Sequence, residues 1–262
     1  MLYLLYALLD AWLIRPPEAG RVAWLREADY AHRGLHGADG EGGGAPENSP
    51  TAFARAIERG LGIECDVQRT SDGQAVVFHD FELDRLSGAS GAVIERSAAQ
   101  LNQITLSGTA DSIPTLQRLL QQIGGRVPLL IEVKSRKGLH VVPLCLAVRR
   151  VLEGYRGPVA VMSFDPRVSR WFATHSRHIV HGLVMSERDQ SRFLRTLRTR
   201  MTMWAARPEF LAWDVRDLPS KLAAKQRKRG LPLLTWTVRD TRLRQRAEKY
   251  ADAPIAEGDG LA

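Results

Sequence analysis

Apolar residues in this chain fall into short runs separated by stretches with helical spacing. The runs predict strands at Tyr30–His32, Gly62–Val67, Ala75–His79, Leu129–Lys134, Val159–Ser163, Ile179–Val184, Phe210–Asp214 and Leu233–Thr237. Between most of them, apolar positions recur at the three- and four-residue intervals of an amphipathic helix. Ser49 and Pro50 have the residue types of an N-cap and a first helical position, so a helix is expected through TAFARAIER, ending at Gly60. Pro114 is expected to open another, PTLQRLLQQIGG. Strands alternating with helices imply a mostly parallel sheet covered by helices.

The number of runs and the length of 262 residues favour a closed barrel over an open sheet. A TIM-type (β/α)8 barrel needs about 250 residues. One connection breaks the pattern. QRTSDGQ joins two runs through Asp72-Gly73, a strong signal for a two-residue hairpin. The barrel is therefore expected to be irregular, with a short hairpin near its C-terminal mouth, and the strand count stays open by one.

Composition changes this picture little. Hydrophobic residues make up 44% of the chain, enough for a large core. The two cysteines, Cys65 and Cys145, form no CxxC motif, so a reducing, cytoplasmic setting is the simpler expectation. The net charge of +8 points to anionic ligands: phosphates, nucleic acid or anionic lipid. The basic run RFLRTLRTR at 192–200 has few aromatics, and nucleic acid is not expected as a partner. MLYLLYALLDAWLI at the N-terminus is apolar but too short to span a bilayer and is interrupted by Asp10. Residues 1–20 are expected to form an apolar helix apart from a barrel domain over 21–262. Residues 1–14 either pack on the fold or lie at a membrane surface, with Arg15 and Arg21 at the basic edge.

The chemistry lies in the polar residues of three strands. In GIECDVQ, side chains alternate faces, so Ile63, Cys65 and Val67 share one and Glu64, Asp66 and Gln68 the other. Two carboxylates on one face repel, and a hard divalent ion such as Mg²⁺ or Ca²⁺ relieves the repulsion. With a two-residue Asp72-Gly73 loop, Ser71 pairs with Gln74 and His79 falls directly opposite Asp66. In LLIEVKS, Glu132 and Lys134 share a face, Glu132 to complete the carboxylate set and Lys134 to meet an anion. His32 ends the first run and offers, with His79, a pair of imidazoles for acid and base work. Arg33 adds a planar donor fork suited to phosphate. Together these residues describe metal-assisted phosphodiester cleavage. The glycine-rich GADGEGGG at 37–44 is followed by no G-K-[ST], which excludes a P-loop, and reads instead as a loop over the barrel mouth that gates substrate.

The motifs AHRG…APENSPTAF, IECDVQRTSDGQAVVFHD and PLLIEVK, supported by IPTLQRLL, VMSFDP and LLTWTVRD, resemble those of the glycerophosphodiester phosphodiesterases. They cover most of residues 29–240, in that family's order. The resemblance implies a TIM barrel that hydrolyses glycerophosphodiesters to glycerol 3-phosphate and an alcohol with a divalent metal, through a substrate hydroxyl and a cyclic phosphate. It implies His32 and His79 as the acid–base pair, the order between them left open. Glu64, Asp66 and Glu132 are implied as metal ligands, Arg33 and Lys134 as phosphate contacts, and Glu47, Asn48 and Trp236 as pocket residues. The family's insertion after the His-Asp pair is compact here, about 81–113. APIAEGDGLA only loosely resembles the usual last strand. Two other readings stand beside this one: a lysophospholipase D-like lipid diesterase, and a basic protein that binds nucleic acid or membrane surfaces.

Overall fold

The computed structural model of the chain describes residues 2–37, 44–106, 108–136, 138–187 and 195–261. Residues 38–43, which make up most of the glycine-rich stretch, and the first residues of the basic run lie outside them.

Nine strands form one sheet: β1 (Tyr30–Ala31), β2 (Gly62–Arg69), β3 (Ala75–Val77), β4 (Leu129–Val133), β5 (Val159–Ser163), β6 (Val180–Met185), β7 (Phe210–Asp214), β8 (Leu233–Val238) and β9 (Ala253–Ala256). All but β3 are parallel, and β1 pairs with both β2 and β9, which closes an eight-stranded barrel. The fold is thus the expected TIM barrel, and β3 is the expected hairpin rather than a stave. β9 is absent from the predicted strands. Its four residues include Pro254 and carry no alternation that separates them from a loop.

Helices of eight residues or more are α1 (Leu2–Leu13), α2 (Pro50–Glu58), α3 (Leu116–Ile123), α4 (Val142–Leu152), α5 (Pro166–His175), α6 (Arg195–Ala206), α7 (Lys221–Lys228) and α8 (Thr241–Tyr250). Ser49 caps α2 as expected, its hydroxyl accepting from the Ala52 amide at 3.1 Å. Pro114 does not open α3. Thr115 is the cap, accepting from the Arg118 amide at 3.2 Å, while the Pro114 carbonyl accepts from the Val77 amide at 2.8 Å. That bond ties the start of α3 to the hairpin.

Strand alternation sorts the core into two layers. Ile63, Cys65 and Val67 face outward and pack with Phe53 of α2, Leu116 of α3 and Val148 of α4. Tyr30, Leu130, Met162, Phe210, Leu234 and Ile255 fill the barrel. Two large rings fit there because their neighbours lack side chains. A Cβ at Gly62 would lie 2.6 Å from the Tyr30 ring, and one at Gly182 would lie 2.4 Å from that of Phe210. Leu83, Val93, Leu101, Leu106 and Ile113 form a separate small cluster with Val76 and Phe78.

The β2–β3 register differs by one residue from the expected one. Val67 faces Val77 and Arg69 faces Ala75, so the loop holds three residues, Ser71 to Gly73, between a Thr70–Gln74 pair. The reason is local and tertiary together. The Thr70 hydroxyl lies 2.5 Å from Asp72 and accepts from the Gln74 amide, and Asp72 also accepts from the Ala98 amide at 3.0 Å. Gly73 takes the left-handed conformation (φ +78°) that ends a three-residue loop. Phe78, not His79, therefore opposes Asp66.

Candidate active site

The carboxyl ends of β1, β2 and β4 bring the polar set together. Glu64 and Asp66 project into the barrel from β2, and β4 sets Glu132 level with Asp66. Carboxylate oxygens of the three residues all lie within 4.8 Å of one another. Glu64 and Asp66 are almost fully buried. Burial pushes the Glu64 carboxyl well above its ordinary range, and repulsion from Asp66 and Glu132 adds to it. Burial, reinforced by Asp66, pushes Glu132 up to about 7 against the pull of Lys134. Burial also opposes ionisation of Asp66, but Lys134 and Arg33 outweigh it and hold that carboxyl low.

Cations and an amide brace this group. The Lys134 ammonium lies 3.0 Å from Glu132 and 3.3 Å from Asp66. The Arg33 backbone amide donates to Glu64 at 3.1 Å, its Nη1 donates to Glu47 at 2.8 Å, and its Nε lies 3.2 Å from Asp66. Asn48 is buried against the same aspartate, donating from Nδ2 to Oδ2 at 3.0 Å and accepting from the Asp66 amide at 3.3 Å. Arg33 (φ +57°) and Asn48 (φ +58°) both hold left-handed backbone. The Asn48 amide donates to the Arg33 carbonyl at 2.9 Å, so the two sites of strain are tied together.

Each histidine has a carboxylate behind it. His32 Nδ1 lies 2.5 Å from Glu257, directly after β9, and its Nε2 lies 4.0 Å from Glu64. Glu257 also meets Arg239 at 2.6 Å and lies 3.5 Å from His36. Burial opposes its ionisation, but the bonds from His32 and His36 hold it far below the usual carboxylate range. His79 Nδ1 lies 2.6 Å from Asp80. Asp80 is held down at about 2, chiefly by its hydrogen bond from Arg85, which also grips Glu47 at 2.6 Å.

His79 does not arrive by the expected register, because the chain leaves β3 after Val77. Gln68, on the inner face of β2, holds the 78–80 segment instead, donating to the Phe78 carbonyl at 2.9 Å and to the Asp80 carbonyl at 2.5 Å. His79 still lies near enough for its charge to help lower Asp66 and Glu47. Trp236 projects from β8, donates to the Ala212 carbonyl at 3.0 Å and meets Phe164 edge to face, with ring centroids 5.1 Å apart. Glu47 bridges Arg33 and Arg85.

The structure thus brings His32, Arg33, Glu47, Asn48, Glu64, Asp66, Glu132 and Lys134 into one connected network. His79 joins it through Asp80 and Arg85, and Trp236 stands apart with Phe164. Sequence reasoning missed Glu257, Asp80, Arg85, Gln68 and Phe164. The pairing of Asp80 with His79 had a signal in the adjacent FHD, whereas Glu257 had none, since its strand was not recognised.

Barrels of this kind work at the carboxyl ends of their strands, where this network lies, so the chain is a TIM-barrel enzyme. Residues 32–256 match the model of the glycerophosphoryl diester phosphodiesterase family, and the chain belongs to that family of hydrolases. It is 27% identical over 222 residues to the glycerophosphodiester phosphodiesterase of Caldanaerobacter subterraneus, covering 79% of this chain and 84% of that one. Among solved structures it resembles an Oleispira antarctica phosphodiesterase in complex with the product sn-glycerol-3-phosphate, with TM-score 0.73, 23% identity and coverage of 87% of this chain and 92% of that one. It also resembles a glycerophosphodiester phosphodiesterase from Thermotoga maritima, with TM-score 0.68, 23% identity and coverage of 89% and 95%. At these identities the two structures support the fold.

Proposed function

We propose that the chain hydrolyses glycerophosphodiesters to glycerol 3-phosphate and an alcohol, with a divalent cation on Glu64, Asp66 and Glu132 and with His32 and His79 as the acid–base pair. One observation carries the reading: three carboxylates, two buried and one half-buried, within cation-binding reach of each other, beside two imidazoles that each have a carboxylate behind them. The donor set fits the ion. It is all oxygen, as Mg²⁺ or Ca²⁺ prefers, and the repulsion that adds to burial in raising Glu64 and Glu132 is what a cation would relieve. When bound, the ion offsets charge on the phosphate.

The chain's own groups supply the rest. Lys134 and the Arg33 fork, braced by Glu47, bind phosphate oxygens and orient the ester. Glu257 keeps the His32 proton on Nδ1, which leaves Nε2 free toward Glu64 and the reacting centre. Asp80 does the same for His79. One imidazole takes the proton of the attacking substrate hydroxyl at its free nitrogen, and the other delivers a proton to the departing alcohol oxygen. Water then opens the resulting cyclic phosphate with the two roles exchanged, which releases glycerol 3-phosphate.

The test is release of glycerol 3-phosphate from glycerophosphocholine, with EDTA and after return of Mg²⁺ or Ca²⁺. Chelation should abolish activity, and His32→Asn or His79→Asn should each lower kcat by about 10²–10⁴-fold. Full activity in EDTA, or in Glu64→Gln, would refute the reading.

A second reading, cleavage of a lysophospholipid, has one observation in its favour. A cavity of about 220 Å³ adjoins Lys134 and is walled by Phe81, Ile94, Leu139, Pro143 and Leu144, a lining suited to an aliphatic alcohol moiety. A substrate panel with and without an acyl chain separates the two.

A further inference from the structure

Helix α1 is fixed by a residue that first looks like an interruption. Asp10 is fully buried and accepts from Arg200 at 2.6 Å, Lys225 at 2.9 Å and Trp204 at 2.9 Å. Arg229 donates to the Asp10 and Ile14 carbonyls, both at 2.8 Å. These contacts lock α1 onto α6 and α7 and fix its rotation. Leu8 and Trp12, four residues apart, share the face nearly opposite Asp10. They are 61% and 62% exposed, and the clamp prevents the helix from turning them inward. The neighbouring α6 exposes Leu197 and Met201.

Cations stand at the edge of this face. The Arg207 guanidinium lies 5.9 Å from the Trp12 ring. Its proton affinity is lowered by burial and then by the charges of Arg170 and Arg15, which both lie near enough to act on it. Among the described residues none of the three makes an ion pair. Exposed apolar side chains, one of them an interfacial tryptophan, beside unmatched positive charge complement an anionic bilayer surface. No helix among the described residues is long and apolar enough to cross a membrane, so such contact would be peripheral.

We propose that the outward face of α1, with Leu197 and Met201 of α6 and with Arg15, Arg170 and Arg207, docks the protein on anionic lipid. The geometry gives each part a task. Trp12 and Leu8 enter the headgroup boundary, the arginines meet phosphate groups, and Asp10 keeps the face turned outward.

The experiment is co-sedimentation of the full chain with phosphatidylcholine vesicles, with and without phosphatidylglycerol. The chain should sediment with the anionic vesicles only and be released by high salt. Trp12→Ser and Leu8→Ser should weaken binding several-fold, and Arg15→Gln, Arg170→Gln and Arg207→Gln about fivefold each. All five positions are exposed, and an unchanged melting temperature shows that each variant is folded. Deleting residues 1–14 is a poor probe, because it leaves Arg200 and Lys225 without Asp10. Failure to sediment with anionic vesicles, equal sedimentation with neutral ones, or indifference to Trp12→Ser and Arg207→Gln would overturn the proposal. So would a concentration-dependent dimer that Trp12→Ser dissolves, since the face would then belong to a second copy of the chain.

Discussion

His32 Nδ1 and a carboxylate oxygen of Glu257 lie 2.5 Å apart, across 225 residues of sequence. The contact joins the first stave of the barrel to the last and sets which ring nitrogen faces the site. Glu257→Gln should therefore lower kcat on glycerophosphocholine about a hundredfold while KM changes little, and Glu257→Asp should recover part of the loss. Steady-state kinetics of the two variants measure this. An unchanged kcat in Glu257→Gln would show that His32 needs no such partner.

The carboxylate trio makes a separate prediction about binding. Calorimetry of the chelated protein should show one tight site for Mg²⁺ or Ca²⁺. Asp66→Asn and Glu132→Gln should each weaken it by about a hundredfold or more, since they remove donors rather than residues behind them. Titration of Glu257→Gln should resemble the parent. If the parent binds neither ion, the three acids have another purpose.

Asn48 combines left-handed backbone with two hydrogen bonds to Asp66. Asn48→Ala keeps the strain and loses both bonds, and should cost about 2–3 kcal/mol in urea denaturation. Asn48→Gly relieves the backbone and should recover about 1 kcal/mol of that. Equal losses in both variants would mean that strain has no part in the effect.

His181 makes the acid side of the stability profile testable. It is buried on β6 with Nδ1 3.0 Å from the Ser169 hydroxyl. Burial pushes it down to about 4, with Glu209 opposing. Unfolded, it titrates near 6.5. Between those values the unfolded chain binds more protons than the folded one, so stability falls as pH drops from about 6.5 to 4, by about 3 kcal/mol at most. His181→Gln should flatten that part of the curve. A slope unchanged by the substitution would place the acid sensitivity elsewhere.

Much of the site could be read in the sequence, because its main signal is short-range. The alternation in β2 and β4 that puts Glu64, Asp66, Glu132 and Lys134 on one face depends on nothing beyond the strand itself. The hairpin was legible and its register was not. Asp72-Gly73 announces a turn, but the third loop residue comes from the Thr70 hydroxyl and from an amide at Ala98, which belongs to another segment. The same limit hid Glu257. Four residues containing a proline carry no strand pattern, and only closure of the barrel makes them a strand. Asp10 was legible as a break in an apolar run. Its real setting, beneath Arg200, Lys225 and Trp204, involves residues about 190 to 215 positions away.

Closure through β9 also gives activity a place in the order of synthesis. His32 is made 225 residues before Glu257, so the imidazole has no carboxylate to orient it until β9 has emerged. The carboxylate set on β2 and β4 is complete far earlier. On the proposed function, a growing chain would hold a cation before it turned over a substrate, and β9 would be the strand that arms the site.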